Sequence, residues 1–541
     1  MKNNFIYFLS FFTIILTSCS DYLENPPYSF TTTDNFYTTP NEAELALTGV
    51  YNILSAASVQ GFGNNATYSR NLMFMLNGAT DEAFVKNQTI NPDYKVWGDA
   101  SFTAQSSFTG QAWVFLYAGI NRANYLIEKI EDIEGFKENR KKEIIAEARV
   151  LRGFYHMILS MMYGGVPAYT SSIQDPFQAR NSIQEVYNII LDDYKFAYET
   201  LPERASTNSH VNKWTAAGLL AKAHTYLASA KNSGLQGFID INSFEWVNVD
   251  EHYDAALIYT TETINNSGYI VTENYDYLFR ETTKEAQYEE FLFSAEASND
   301  PTGNVVNVIL NGFIPQGNAN TVGGGYGWYR PTTELYNMYS DSDFRKNHNL
   351  TGNINNKNNP EDIDGIRYYA PRALPNTNVG YYCIGKYRMV DPIQKATANW
   401  ASNINIPILR FADVLLLHAE ALYFTGNETN ARTTLTTIRE RSLTSGSTIS
   451  ELEAAYSKPN FIEELLEERA RELCFENWRR IDLARFNVYD NTIENLSETD
   501  GFYNKETVPV LKNNWKEERV WFPIPTIQID LNKNLTQNQG Y

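Results

Sequence analysis

Two stretches, "AAGLLAKAHTYLAS" (216–229) and "ADVLLLHAEALYFTG" (412–426), share a rhythm of small and apolar residues at helical spacing. Small side chains on a helix face let a second helix approach closely, so both stretches demand helical neighbours on more than one side. Segments with helical periodicity surround them: 41–54, 111–130, 140–164, 182–201, 212–230 and 252–266 in a first block, then 407–426, 428–442 and 461–486 in a second. Within 140–164, Ile145, Ala148, Leu151, Arg152, Tyr155 and Leu159 recur at threes and fours, with Glu143 and Glu147 off that stripe. Gly164 and Gly426 stand where helix-ending glycines belong, and Ser182 and Asn427 can cap the helices that follow. The pattern predicts an all-α fold of stacked helix–turn–helix units of tetratricopeptide type, without a strict repeat period.

Periodicity fails over roughly 267–405, a stretch rich in Asn, Gly, Pro and Tyr, and again over about 58–108. A structureless run of the first length is implausible in a compact domain. It is expected to form an irregular, loop-rich subdomain packed on the helices, with "FLFSAE" (291–296) as a short strand. Aromatic and polar side chains gather in the two irregular regions: Asp81, Tyr94 and Trp97 in the first, and Tyr326, Trp328, Tyr329 and Arg330 in the second. A flat ring on a loop suits the apolar face of a sugar, while Asp and Arg can hydrogen-bond its hydroxyls. The competing expectation is that the rings plug irregular packing.

Catalytic and metal motifs are missing from the sequence. "HAEA" at 418–421 has no Cys-x-x-Cys partner for zinc, Gly323–Gly325 are not followed by the Lys-Ser/Thr of a phosphate loop, and no Gly-x-Ser-x-Gly occurs. Neither cofactor nor metal is expected, nor enzyme activity. The acidic pairs Asp192–Asp193 and Glu467–Glu468 read as solvated helix faces, and the Arg/Glu-rich runs 146–155 and 468–486 as ion-paired ones. A net charge of −20 speaks against nucleic acid as partner. At the N-terminus, Lys2 precedes an apolar run from Phe5 to Leu16, a length suited to an export signal and too short to span a bilayer. It ends in Leu16-Thr17-Ser18-Cys19, which looks like a bacterial lipobox, so Cys19 is the expected lipidation site. Cys383 and Cys474 are expected to be buried thiols. The resulting organisation is a signal over 1–18, a lipidated tether over 19–40, a helical part over 41–266 with its insertion, the irregular 267–405, and a second helical part with a terminal extension over 406–541.

Five stretches in order carry a family resemblance: "WVFLYAGINRANYLIEKI" (113–130), "AEARVLRGFYHMILSMMYGGVP" (146–167), "ILRFADVLLLHAEAL" (408–422), "ERARELCFENWRRIDLARF" (468–486) and "WFPIPTIQIDLNKNLTQNQGY" (521–541). With them the chain resembles the RagB/SusD family of surface glycan-binding lipoproteins. It departs from the usual pattern at Asn477, where Gly is commoner, and at Gln539, where Pro is usual. The resemblance implies a tetratricopeptide-like superhelix with a looped ligand face, anchored by lipid in the outer membrane and facing the cell exterior. It implies a SusC-like TonB-dependent transporter as partner, and a glycan as ligand that is captured and handed on without cleavage. Some relatives bind peptides or other nutrients, which leaves a peptide-binding or purely transporter-docking scaffold as the alternative.

Overall fold

A computed structural model of the chain describes residues 36–55, 57–59, 63–65, 68, 71–86, 92–137, 139–280, 283–297, 327–352, 361–363, 366–368, 382–387, 404–498 and 504–541. Its long helices follow the periodic segments. The first block forms α1 (Pro40–Ser55), α2 (Ser107–Lys129), α3 (Arg140–Tyr163), α4 (Ile183–Thr200), α5 (Lys213–Ser233) and α6 (Val249–Asn266). Helices α7 (Phe411–Phe424), α8 (Glu428–Glu440), α9 (Phe461–Leu473) and α10 (Arg479–Arg485) follow in the second. From α2 to α8 each helix packs on the next, and α6 packs directly on α7, so the stack continues across the intervening irregular residues. This is the all-α, tetratricopeptide-like architecture that the periodicity predicts.

Caps and close approaches explain the local geometry. Ser182 and Glu185 form a reciprocal capping box at α4, and Asn212 accepts from the Trp214 and Thr215 amides at the start of α5. A Cβ on Gly119 would stand 2.5 Å from the Tyr155 ring, and one on Gly153 would stand 2.8 Å from that of Tyr194. Those glycines let α2, α3 and α4 approach one another more closely than any side chain would allow.

Two expected helices differ. Residues 406–410 form not helix but strand β4 (Ile406–Arg410), antiparallel to β2 (Phe291–Ala295), and α7 begins only at Phe411. Ile406, Ile408 and Leu409 are all buried there, and a fully buried β-branched run fits a strand as well as a helix start. The 461–486 helix breaks after Leu473, where Phe475 and Asn477 adopt positive φ (61° and 70°), and resumes as α10.

The acidic pairs also differ from expectation. Asp192 and Glu467 reach solvent, but Asp193 and Glu468 are fully buried. Asp193 takes Arg149 and Arg152, and Glu468 takes Arg439 at 2.8 Å and Arg345 and Arg471 at 2.9 Å. Glu147, off the apolar stripe of α3, is likewise buried, against Arg140 at 2.8 Å. The ion pairs of 468–486 therefore form an internal lattice in place of an outer face. Arg410 sits at its centre, 2.6 Å from Glu290, 2.9 Å from Glu472 and 2.8 Å from Glu476, with all four side chains buried. Burial opposes the charge of Glu468 and Glu472, yet the guanidinium groups around them hold both carboxyls well below the usual range. Cys383 and Cys474 are buried thiols, as expected, and burial pushes the Cys474 thiol up to about 12.

Candidate functional site

The two irregular regions meet. Strand β1 (Ala83–Val85), from the first, pairs antiparallel with β3 (Tyr329–Pro331), from the second, with Phe84 opposite Arg330. The short helices Leu72–Asn77 and Pro92–Gly98 flank this seam. Rings from distant positions converge on it: Tyr94 lies 4.6 Å from Phe74 and 4.6 Å from Trp328, and Phe74 lies 4.9 Å from Tyr329. Gly78 is needed here, since a Cβ would stand 2.7 Å from both the Tyr329 ring and the Trp97 carbonyl.

Of the residues expected to face a ligand, most face inward. Trp97, only 1% exposed, stacks on Phe102 at 4.9 Å and meets Phe522 edge-on at 5.3 Å. Its Nε1 is buried without a hydrogen-bond partner. Tyr329 is fully buried and donates its hydroxyl to the carbonyls of Tyr94 (3.0 Å) and Phe74 (3.3 Å). Arg330 is buried beside Cys383, and Tyr94 is buried among the rings. Asp81 is held by Arg479 in a two-pronged ion pair at 2.7 and 2.6 Å. All five are buried packing groups in this structure: the seam has no helical stripe to bury, so large rings fill its interior, and Asp81 is buried with its charge paired to Arg479. Trp328 alone of the described candidates stays half-buried, at the edge of the cluster. Tyr326 and Cys19 lie outside the described residues.

Beside Asp81 sits a second buried acid. Glu82 is buried, and burial raises its carboxyl to about 8 against the pull of Arg479 and of the Phe475 amide, which donates to it at 3.1 Å. Nothing in "ATDEAF" distinguishes it from an exposed acid. His418 and Glu420 of "HAEA" serve helix packing: His418 Nδ1 lies 2.9 Å from Thr260 Oγ1, and Glu420 pairs with Arg485 at 2.6 and 2.8 Å. Among the described residues no three His, Cys, Asp or Glu side chains gather to hold a metal, and no helix is long and apolar enough to cross a membrane.

Stacked helix pairs carrying a loop-built aromatic seam define the class: a tetratricopeptide-like scaffold protein with an inserted ring cluster. The chain belongs to the RagB/SusD family. The SusD family model matches residues 363–541, and a model described as "Starch-binding associating with outer membrane" matches residues 21–227. SusD-like protein P38 of Formosa agariphila is 27% identical over 503 residues, 90% of this chain and 92% of that one. A crystal structure of a SusD homolog from Bacteroides thetaiotaomicron superposes with a TM-score of 0.72 at 23% identity, covering 94% of this chain and 98% of the other. Surface glycan-binding protein A of the same organism, in complex with laminarihexaose, superposes with a TM-score of 0.69 at 20% identity, covering 93% of this chain and all of the other. Both structures share this fold.

Proposed function

We propose that this protein binds oligosaccharide or polysaccharide at the cell surface without cleaving it and delivers it to a SusC-like TonB-dependent transporter. The observation that carries this reading is the match of 21–227 to a family model of starch-binding proteins associating with the outer membrane. Trp328, half-exposed at the rim of a rigid ring cluster, supplies a face against which a pyranose can stack. Asp81, Tyr94, Trp97, Tyr329 and Arg330 then act from behind, fixing the position of that ring, while Tyr326 remains a candidate contact. On this reading 1–18 is an export signal, Cys19 carries the lipid that moors the protein in the outer membrane facing outward, and 19–40 is its tether.

The burial of Tyr94, Trp97 and Tyr329 favours one alternative, a scaffold of the same fold that binds peptide or the transporter alone. Isothermal titration of Trp328→Ala against the polysaccharide that the wild type binds separates the two. The expected result is an affinity loss of about tenfold or more, roughly 1.4 kcal/mol, with an unchanged melting temperature. Equal affinity would remove Trp328 from the site. Failure of the wild type to bind any polysaccharide, together with co-purification of a transporter, would support the scaffold.

A further inference from the structure

Away from the aromatic seam, a cavity of about 200 Å³ opens between the last turns of α1, the turn at Ser209–His210 and the end of β2. Thr48, Tyr51, Ser55, His210, Ser294 and Glu296 line it. Three segments far apart in sequence build it, so no local motif announces it.

The hydrogen-bond directions in this lining are uneven. Thr48 Oγ1 donates to the Glu44 carbonyl at 2.9 Å, Ser55 Oγ donates to the Glu296 carbonyl, and Ser294 Oγ donates to Glu296 Oε1 at 2.5 Å. Tyr51 donates its hydroxyl to Glu147 at 2.8 Å and accepts from the Val211 amide at 3.0 Å. Each of these hydroxyls has one proton, already committed to the protein, so Thr48, Ser55 and Ser294 offer a ligand oxygen lone pairs only. The Glu296 carboxylate is met from within by Tyr288 Oη at 3.0 Å and Asn405 Nδ2 at 2.8 Å, with Lys284 Nζ at 3.8 Å. Tyr288 and Asn405 are neutral donors that orient the carboxylate, and Lys284 stands beyond hydrogen-bond distance of it. The Tyr51 and His210 rings pack 5.0 Å apart at 36° and supply a wall of ring faces, with His210 Nδ1 2.8 Å from Glu147 Oε2.

We propose that this cavity is a second subsite that takes one neutral pyranose ring, held by hydroxyl groups donating to acceptor oxygens and by its C–H face against Tyr51 and His210. The inference rests on the glycan-binding reading and adds to it a place and a charge class. Neutral sugars supply donors to the oxygens of Thr48, Ser55, Ser294 and Glu296 and acceptors to the Asn52 amide, which also lines the cavity, whereas a uronate would set its carboxylate against that of Glu296. The volume lies below the ~300 Å³ at which drug-sized pockets begin, which suits one ring and not a chain.

Saturation-transfer NMR with the methyl glycosides of glucose, galactose and mannose, and with methyl glucuronide as the anionic counterpart, tests the proposal on the intact protein. The wild type is expected to bind at least one neutral glycoside and not the glucuronide. In a Trp328→Ala background, which removes the proposed seam contact, Thr48→Trp fills the cavity from its exposed rim and is expected to abolish that binding. Ser209→Trp fills the cavity from the opposite side and serves if the first variant melts early. No binding of any neutral glycoside by the wild type, undiminished binding in a folded blocking variant, or equal binding of the glucuronide would each overturn the subsite. Polysaccharide binding that persists in those cases leaves the proposed function standing without it.

Discussion

Trp97 and Trp328 come from the same kind of irregular, Gly- and Asn-rich surroundings, yet one is sealed between Phe102 and Phe522 and the other keeps part of its surface in water. Replacing the sealed indole by alanine removes core volume, a change that typically costs about 3–5 kcal/mol, so Trp97→Ala belongs among stability variants. Glu82 is the second residue whose role depends on burial. An unfolded glutamate titrates near 4.3, whereas Glu82 in the fold titrates at about 8. The stability it contributes is present in full below about pH 4.3 and is lost as pH rises through about 8, because the folded chain must then ionise a buried acid. Glu82→Gln is therefore expected to raise the melting temperature near pH 9 and to change it little near pH 5. A variant melting below the wild type at the higher pH would contradict the assignment. Neither residue could be sorted from sequence, because a ring or an acid outside a periodic segment has no face by which to infer which side it shows.

The long helices were legible because an apolar stripe at 3.6-residue spacing has one physical meaning over four or more turns. The same stripe misleads where it ends. In "ELCFENWRRIDL" the periodicity runs on, but the backbone turns through left-handed Phe475 and Asn477 to aim α10 at the insertion. Asn477 locks that turn: its amide donates to Asn77 Oδ1 at 3.1 Å, and its side chain accepts from Asn77 Nδ2 at 2.7 Å. That conformation accounts for glycine as the commoner residue at this position, and asparagine is the next most tolerant. Asn477→Ala loses both the local tolerance and a buried acceptor, and is expected to lower stability by about 2–4 kcal/mol. Asn477→Gly keeps the backbone free and is expected to lose less. Denaturant unfolding of the two variants checks the order, and an alanine variant as stable as the glycine one would contradict it.

Across the whole molecule, one continuous apolar core runs from Ala43 to Leu535 and takes in Tyr275, Phe293 and Tyr329 together with the helices. An internal lattice of Arg with Glu and Asp then joins β4, α8, α9 and α10. The chain presents its insertion on a scaffold with few internal freedoms, and its net charge of −20 leaves uncharged polymers better suited than polyanions as ligands. Fold class was legible at this scale because the helices dominate the chain, while the seam depends on pairing between residues 83–85 and 329–331, which nothing local encodes. Capture of glycan without cleavage is the proposed activity. Affinity electrophoresis of the purified protein in gels containing neutral polysaccharides, with reducing ends assayed in the same mixtures, tests it most directly. Retardation in at least one gel with no rise in reducing ends is expected; unretarded migration throughout, or release of reducing sugar, would overturn the proposed function.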